Sequence, residues 1–221
     1  MSLLIEPLKI FSLEHSDGIA NPHELILQVF IRMSAVCTFP LAVCGTVVFA
    51  LVYQTYTLDV YFLVLLAFLL VNQVWISIFI VLTVLVPSQA HRLCPVFAAI
   101  GGFCCGFIVP KPLMPPYYRW IFYINPSFYA YSATTVTILE DTDLSCSRDS
   151  TLECFRESGV AILDRFGLSD INPIENLVVL ISMVFVCVLL GITILFLKAN
   201  FSTIKERLAT AFCITTRRRK K

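Results

Sequence analysis

The chain has 221 residues, 58% of them hydrophobic and 14% charged, with a mean hydropathy of +0.84 and a formal net charge of +1. Soluble globular domains carry roughly a quarter charged residues, so this composition excludes an ordinary water-soluble enzyme and predicts an all-α membrane protein that crosses the bilayer several times. No nucleic-acid partner is expected.

The small net charge hides an asymmetry. Between Lys198 and Lys221 eight bases (Lys198, Lys205, Arg207, Arg217, Arg218, Arg219, Lys220 and Lys221) stand against Glu206 alone, whereas from Glu140 to Glu175 nine acids face Arg148, Arg156 and Arg165. Cationic segments stay on the cytosolic side of a membrane, which predicts a cytosolic basic tail over 198–221 and an outer loop over about 140–176.

In chain order, residues 1–32 are of mixed polarity, with turn signals at Asp17-Gly18 and Asn21-Pro22. They read as a cytosolic lead-in that turns helical from about Pro22. Glu6, Pro7 and Lys9 stand where the apolar part of a cleavable signal peptide would lie, so none is expected. A transmembrane domain over 33–197 then contains four uncharged windows, 33–53, 61–86, 93–110 and 177–197. Each is about long enough to cross a hydrocarbon core roughly 30 Å thick, the third only marginally. The connection between the first two is very short, so they form an antiparallel hairpin. Pro40 falls inside the first window and is expected to kink its helix.

The second window places Asn72 and Gln73 near mid-membrane. Side-chain amides at that depth need partners, so they either hold a neighbouring helix or reach into a cavity. The third window carries Gly101, Gly102 and Gly106, small residues that allow close helix approach. It also carries Phe97, Phe103, Phe107 and Ile108, which face either lipid and neighbouring helices or a cavity.

The stretch from Gly101 to Glu140 is the most informative. An apolar run breaks at Pro110, Pro112, Pro115 and Pro116, then resumes as an aromatic-rich run from Trp120 to Leu139. Proline removes a backbone donor and clashes with the preceding turn, so the two runs cannot be one straight helix. In lipid such a break persists only where protein or a water-filled cavity surrounds it. If the second run spanned the membrane, the basic tail would lie outside. It therefore reads as a re-entrant or interfacial helix over about 117–139, giving four spans with both termini cytosolic.

Of nine cysteines, only Cys146 and Cys154 fall in the predicted outer loop, the oxidising side. They are disulfide candidates, either with each other or across a dimer. The three histidines are scattered and no metal-ligand spacing occurs, so no metal is expected. No phosphate-binding Gly-x-x-x-x-Gly-Lys loop and no catalytic motif is present, and the spans hold no Asp or Glu. The chain is not expected to be an enzyme.

The central stretch resembles the membrane domain of G-subfamily ABC transporters of the White and pleiotropic-drug-resistance type. The matching residues are Gly106-Phe107-Ile108-Val109, Pro115 or Pro116, Tyr117-Tyr118, Trp120, Tyr123-Ile124-Asn125-Pro126, Tyr129 and Glu140. Phe11–Ile19 is similar to the connector before that family's third span, and Thr38-Phe39-Pro40 to an element within it. Cys146, Cys154, Gly159, Leu163 and Asn176 also fit the family pattern. The likeness covers about residues 10–200 and implies that the four spans correspond to spans three to six of that family.

The resemblance also implies a mechanism. Two membrane domains, each pairing with a nucleotide-binding domain that uses ATP and Mg, enclose a cavity from which lipids, sterols or apolar xenobiotics leave past an apolar valve. Phe107 and Ile108 map onto the valve, with Phe97 and Phe103 facing the cavity, and Trp120, Tyr123, Pro126 and Tyr129 fixing the re-entrant helix. The nucleotide-binding domain and first two spans are not recognisable in this chain. Membrane lipids are expected partners, and the plasma membrane the expected location. Two other readings are a tetraspanin-like four-span scaffold, suggested by Cys104-Cys105-Gly106, and an inactive truncated transporter that binds full-length relatives.

Overall fold

The computed structural model describes residues 21–52, 58–139 and 159–218. The three longest helices are α1 (Pro22–Val52), α2 (Leu58–Leu85) and α7 (Pro173–Arg218). Among the described residues these alone are long and apolar enough to cross a bilayer, over His23–Val48, Leu58–Leu85 and Pro173–Lys198. Between α2 and α7 lie α3 (Ala90–Phe103), α4 (Trp120–Ile124), α5 (Pro126–Leu139) and α6 (Gly159–Phe166). Two single 3-10 turns, Lys111–Leu113 and Pro116–Tyr118, fill the proline-rich connection before α4.

α2 is the central helix. It packs along α7 and α5 on one side and α1 on another. One apolar cluster joins Ile26 and Val29 of α1 to Ile76, Ile80 and Val84 of α2 and Leu195 of α7. A second joins Ala67 and Val74 of α2 to Ala130 of α5 and to Leu177 and Leu180 of α7. A third, Phe122, Phe128, Val136, Leu163 and Leu168, fastens α4 and α6 to α5.

Some expected boundaries hold and others move. The lead-in over 1–32 turns helical at Pro22, as expected, because Ile26 and Val29 are buried in the first cluster and hold that turn against α2 and α7. Proline at the first helical position suits this start, since its missing N–H would have had no partner. α1 continues through Pro40 without ending. The last helix extends past the expected 177–197 at both ends, from Pro173 to Arg218.

The third window differs most. Its helix stops at Phe103, and fourteen residues reach only about 21 Å, so 93–110 does not form a continuous spanning helix. Gly106 adopts φ +100°, a left-handed conformation that breaks the helix and that glycine accepts readily. The rings of Phe128 and Tyr131 close over Gly106. The run expected as one helix over 117–139 is likewise two helices, α4 and α5, parted at Asn125-Pro126. The outer loop expected over 140–176 contains α6, while 140–158 lies outside the described residues.

Gly101 explains how α3 seats itself. A Cβ there would overlap the Trp75 ring, whereas one on Gly102 would meet nothing within 4 Å. The outer edge of the indole lies against backbone that only glycine exposes. Gly101→Ala is therefore expected to destabilise the protein by about 1–3 kcal/mol through overpacking, while Gly102→Ala leaves stability unchanged or slightly higher. Thermal unfolding in detergent checks this; equal midpoints for the two variants would mean that the Trp75 ring moves aside freely.

Candidate functional site

α3 runs from the end of the bundle where α2 finishes and stops at the level of Trp75. There it meets the start of α5. The last carbonyls of a helix and its first N–H groups lack intrahelical partners, and here both kinds face each other inside an apolar bundle. Asn125 joins them. Its Nδ2 donates to the carbonyls of Gly101 (2.9 Å) and Cys104 (2.8 Å) at the end of α3. Its Oδ1 accepts the Ser127 N–H (3.1 Å) in the first turn of α5.

The fit follows from the chemistry of the amide. A carboxamide has two N–H donors on one side and a carbonyl acceptor on the other, which matches a helix C-terminus on one side and a helix N-terminus on the other. Pro126 then opens α5 without needing a hydrogen-bond acceptor. Trp75 Nε1 donates to Ser127 Oγ at 3.1 Å, which fixes the junction to α2. Further along α5, Asn176 Nδ2 of α7 donates to Ser132 Oγ at 2.7 Å, with both residues buried.

The aromatic residues expected on the re-entrant helix fall into two groups. Pro126 is buried at the junction, and the half-buried Tyr129 donates its hydroxyl to the Tyr123 carbonyl at 2.9 Å, bridging α5 back to α4. Trp120 and Tyr123 are exposed. The ammonium of Lys111 lies 5.4 Å from the Tyr123 ring centre and 5.9 Å from that of Phe128, an arrangement in which ring electrons attract a cation. Glu140, Cys146 and Cys154 lie outside the described residues.

The candidate cavity residues lie on one open side. Phe97, Phe103, Phe107 and Ile108 are all exposed, Phe107 at 67%. Together with Val96 and Ile100 they make an uncovered apolar face on α3 and the residues just beyond it. The Phe107 ring meets the Tyr131 ring edge-on at 6.1 Å, so α5 supports the segment after the break from behind. Phe97, Phe103 and Phe107 do not enclose a cavity within the described chain.

Asn72 and Gln73 belong elsewhere, to the contact between α1 and α2. Gln73 accepts from Ser34 Oγ (2.6 Å) and donates to Thr38 Oγ1 (2.7 Å), and Asn72 donates more weakly to Thr38 at 3.4 Å.

Two residues were not singled out by their sequence context. Asn125 looked like one position of a motif, and its role needs the ends of α3 and α5 brought together. Lys198 looked like the first base of the tail. In the structure its ammonium donates to the carbonyls of Val84 (2.5 Å) and Leu85 (2.8 Å), capping the negative end of α2. A basic residue just after an apolar span was a visible signal for the second; nothing local marked the first.

This arrangement defines a helical membrane domain with a discontinuous helix set beside an uncovered aromatic face. The chain belongs to the ABC-2 type transporter family, which it matches over residues 10–139, from before α1 to the end of α5. It is 30% identical over 83 residues to ABC transporter G family member 8 of Dictyostelium discoideum, covering 38% of this chain and 12% of that protein. ABC multidrug transporter atrI of Aspergillus fumigatus is 34% identical over 61 residues, 28% of this chain and 4% of that protein. ABC transporter G family member 4 of Dictyostelium discoideum is 19% identical over 172 residues, 77% of this chain and 21% of that protein. The matches thus span a minor part of these relatives' length.

Asn125→Leu removes both donations to α3 and leaves two carbonyls short of partners, at about 1–3 kcal/mol each. Asn125→Asp keeps the acceptor for Ser127 but sets a negative charge against those same carbonyls, so it is expected to be less stable still. Thermal unfolding and maleimide labelling of Cys104 and Cys105 check this, labelling rising as the end of α3 frays. Wild-type behaviour in both variants would show that the break is held by other contacts.

Proposed function

We infer that this chain forms part of the membrane-embedded pathway of an ATP-driven exporter for lipids, sterols or apolar xenobiotics. The observation that carries this reading is the break between α3 and α5 beside an uncovered apolar face ending in Phe107 and Ile108. Non-helical backbone at membrane depth accompanies cavities and movable elements. Bulky apolar side chains at a constriction seal against water yet part for an apolar molecule.

In this reading a second membrane domain covers the aromatic face, and the cavity lies between the two. Phe97 and Phe103 then contact cargo, and Phe107 with Ile108 closes the exit. A nucleotide-binding domain binds ATP and Mg and supplies the motion, and both termini of this chain lie in the cytosol at the plasma membrane. The supports are the family, the G-family names of the relatives, and the position of Phe107 directly after the left-handed Gly106, where small backbone rotations swing its ring past Tyr131.

The scaffold alternative drew on Cys104-Cys105-Gly106. These residues end α3 against α5, with Gly106 buried and Cys104 holding Asn125, so they serve the helix break.

The reading is tested by joining this chain to the nucleotide-binding domain and preceding spans of a G-family relative and reconstituting the fusion in vesicles. ATP-dependent efflux of a fluorescent apolar dye is expected, and Phe107→Ala should lower it about tenfold, the equivalent of 1.4 kcal/mol in the coupled step, with ATP hydrolysis retained. Efflux unchanged by that substitution would remove Phe107 from the gate, and a fusion that hydrolyses ATP without moving any apolar dye would overturn the export reading.

A further inference from the structure

We propose that Cys104 and Cys105, at the point where α3 ends, form a chelating dithiol site for apolar trivalent arsenicals. They are the only two of the nine cysteines that adjoin in the chain. Both thiols are free and half-buried.

The helix break leaves the two sulfurs able to converge. Along an α-helix successive side chains point about 100° apart, which spreads neighbouring thiols around the cylinder. Cys104, at φ −94° and ψ 22°, has left the helix, and Gly106 turns the chain left-handed two residues on. The backbone at Cys104 is nonetheless held. Its N–H donates to the Ile100 carbonyl at 2.9 Å, and its carbonyl accepts from Asn125 Nδ2 at 2.8 Å. Consecutive Cα atoms lie about 3.8 Å apart, so rotation about the two Cα–Cβ bonds can bring both sulfurs onto one atom.

The donor set selects the ligand. Structural zinc takes four protein ligands, and among the described residues no three His, Cys, Asp or Glu side chains gather. An organic arsenic(III) centre already carries one carbon and needs only two sulfurs to complete its coordination, and thiolates are soft donors that suit a soft acceptor. With phenylarsine oxide two As–S bonds form as arsenic gives up its oxygen. That oxygen leaves as water with the two thiol protons, and no oxidation state changes. An aryl arsenical also suits the surroundings. Phe103 and Phe107 are exposed on the open side of the break, and the Tyr131 ring stands edge-on to Phe107 at 6.1 Å.

The other described cysteines, Cys37, Cys44, Cys94 and Cys187, have no thiol next to them in the chain and offer one sulfur each. A second attachment within the same molecule holds about a hundredfold more tightly than one alone. Excess monothiol therefore strips arsenic from the single cysteines and leaves it on the pair.

The test treats the full chain, folded in detergent, with phenylarsine oxide in excess mercaptoethanol. After the reagents are removed the protein is unfolded and labelled with maleimide, and each cysteine is read by peptide mass spectrometry. Labelling of Cys104 and Cys105 is expected to be lost while Cys94 and Cys187 label fully, and dimercaptopropanol restores it. Cys104→Ser and Cys105→Ser should each return full labelling to the remaining thiol, with thermal midpoints near wild type, whereas Cys94→Ser leaves the pair protected. If one serine variant unfolds, the other and the wild-type reversal pattern still decide. Full labelling of the pair in the treated wild-type chain overturns the proposal, as does protection that mercaptoethanol reverses or that survives the loss of either thiol.

Discussion

A helix that stops inside an apolar bundle leaves carbonyls without partners, and the rest of this structure depends on how that is resolved. Asn125 supplies both halves of the answer, donating to Gly101 and Cys104 and accepting from Ser127. Because one planar side chain serves both helix ends, α3 and α5 are held in a fixed relation across a break that would otherwise fray. The break can then sit at membrane depth, where irregular backbone is tolerated only when protein or a cavity surrounds it.

The remaining polar contacts act as stitches between helices whose apolar sides would slide against one another freely. Ser34 and Thr38 tie α1 to α2 through Gln73, Trp75 ties α2 to α5 through Ser127, and Asn176 ties α7 to α5 through Ser132. Such contacts in membranes average only about 0.6 kcal/mol each. Their value lies in register. A helix covered in Leu, Ile, Val and Phe packs almost equally well in several rotations, and one hydrogen bond between named residues selects among them. Lys198 completes the set by closing the end of α2 from a position on α7.

The result is a firm frame of α1, α2 and α7, with a thinner arm made of α3, the proline-rich connection, α4 and α5. α5 is packed against the frame on two sides, whereas α3 buries only Ala90, Cys94 and Gly101, the last against Trp75 of the frame. The aromatic face of α3 is therefore carried on a lightly buttressed helix of the arm. In the membrane domain of a transporter that is a suitable place for a moving element, since its motion need not disturb the three clusters that hold the frame.

The sequence by itself determined the class of molecule and the place where it is interrupted. Uncharged windows, few charges and a cluster of prolines suffice for that, because hydrocarbon tolerates neither free backbone groups nor unpaired charge. The family was legible in residues 106–129, and glycine at 101 and 106 was visible as a permission for close approach. Tertiary structure alone decided that the third apolar window ends at Phe103, that α5 joins the bundle, and that Asn72 and Gln73 meet α1. Apolarity along the chain does not reveal where a helix stops; that is set by whether distant groups can accept its free ends. For α3 the group is a single amide more than twenty residues away, and nothing local to either partner announces the other.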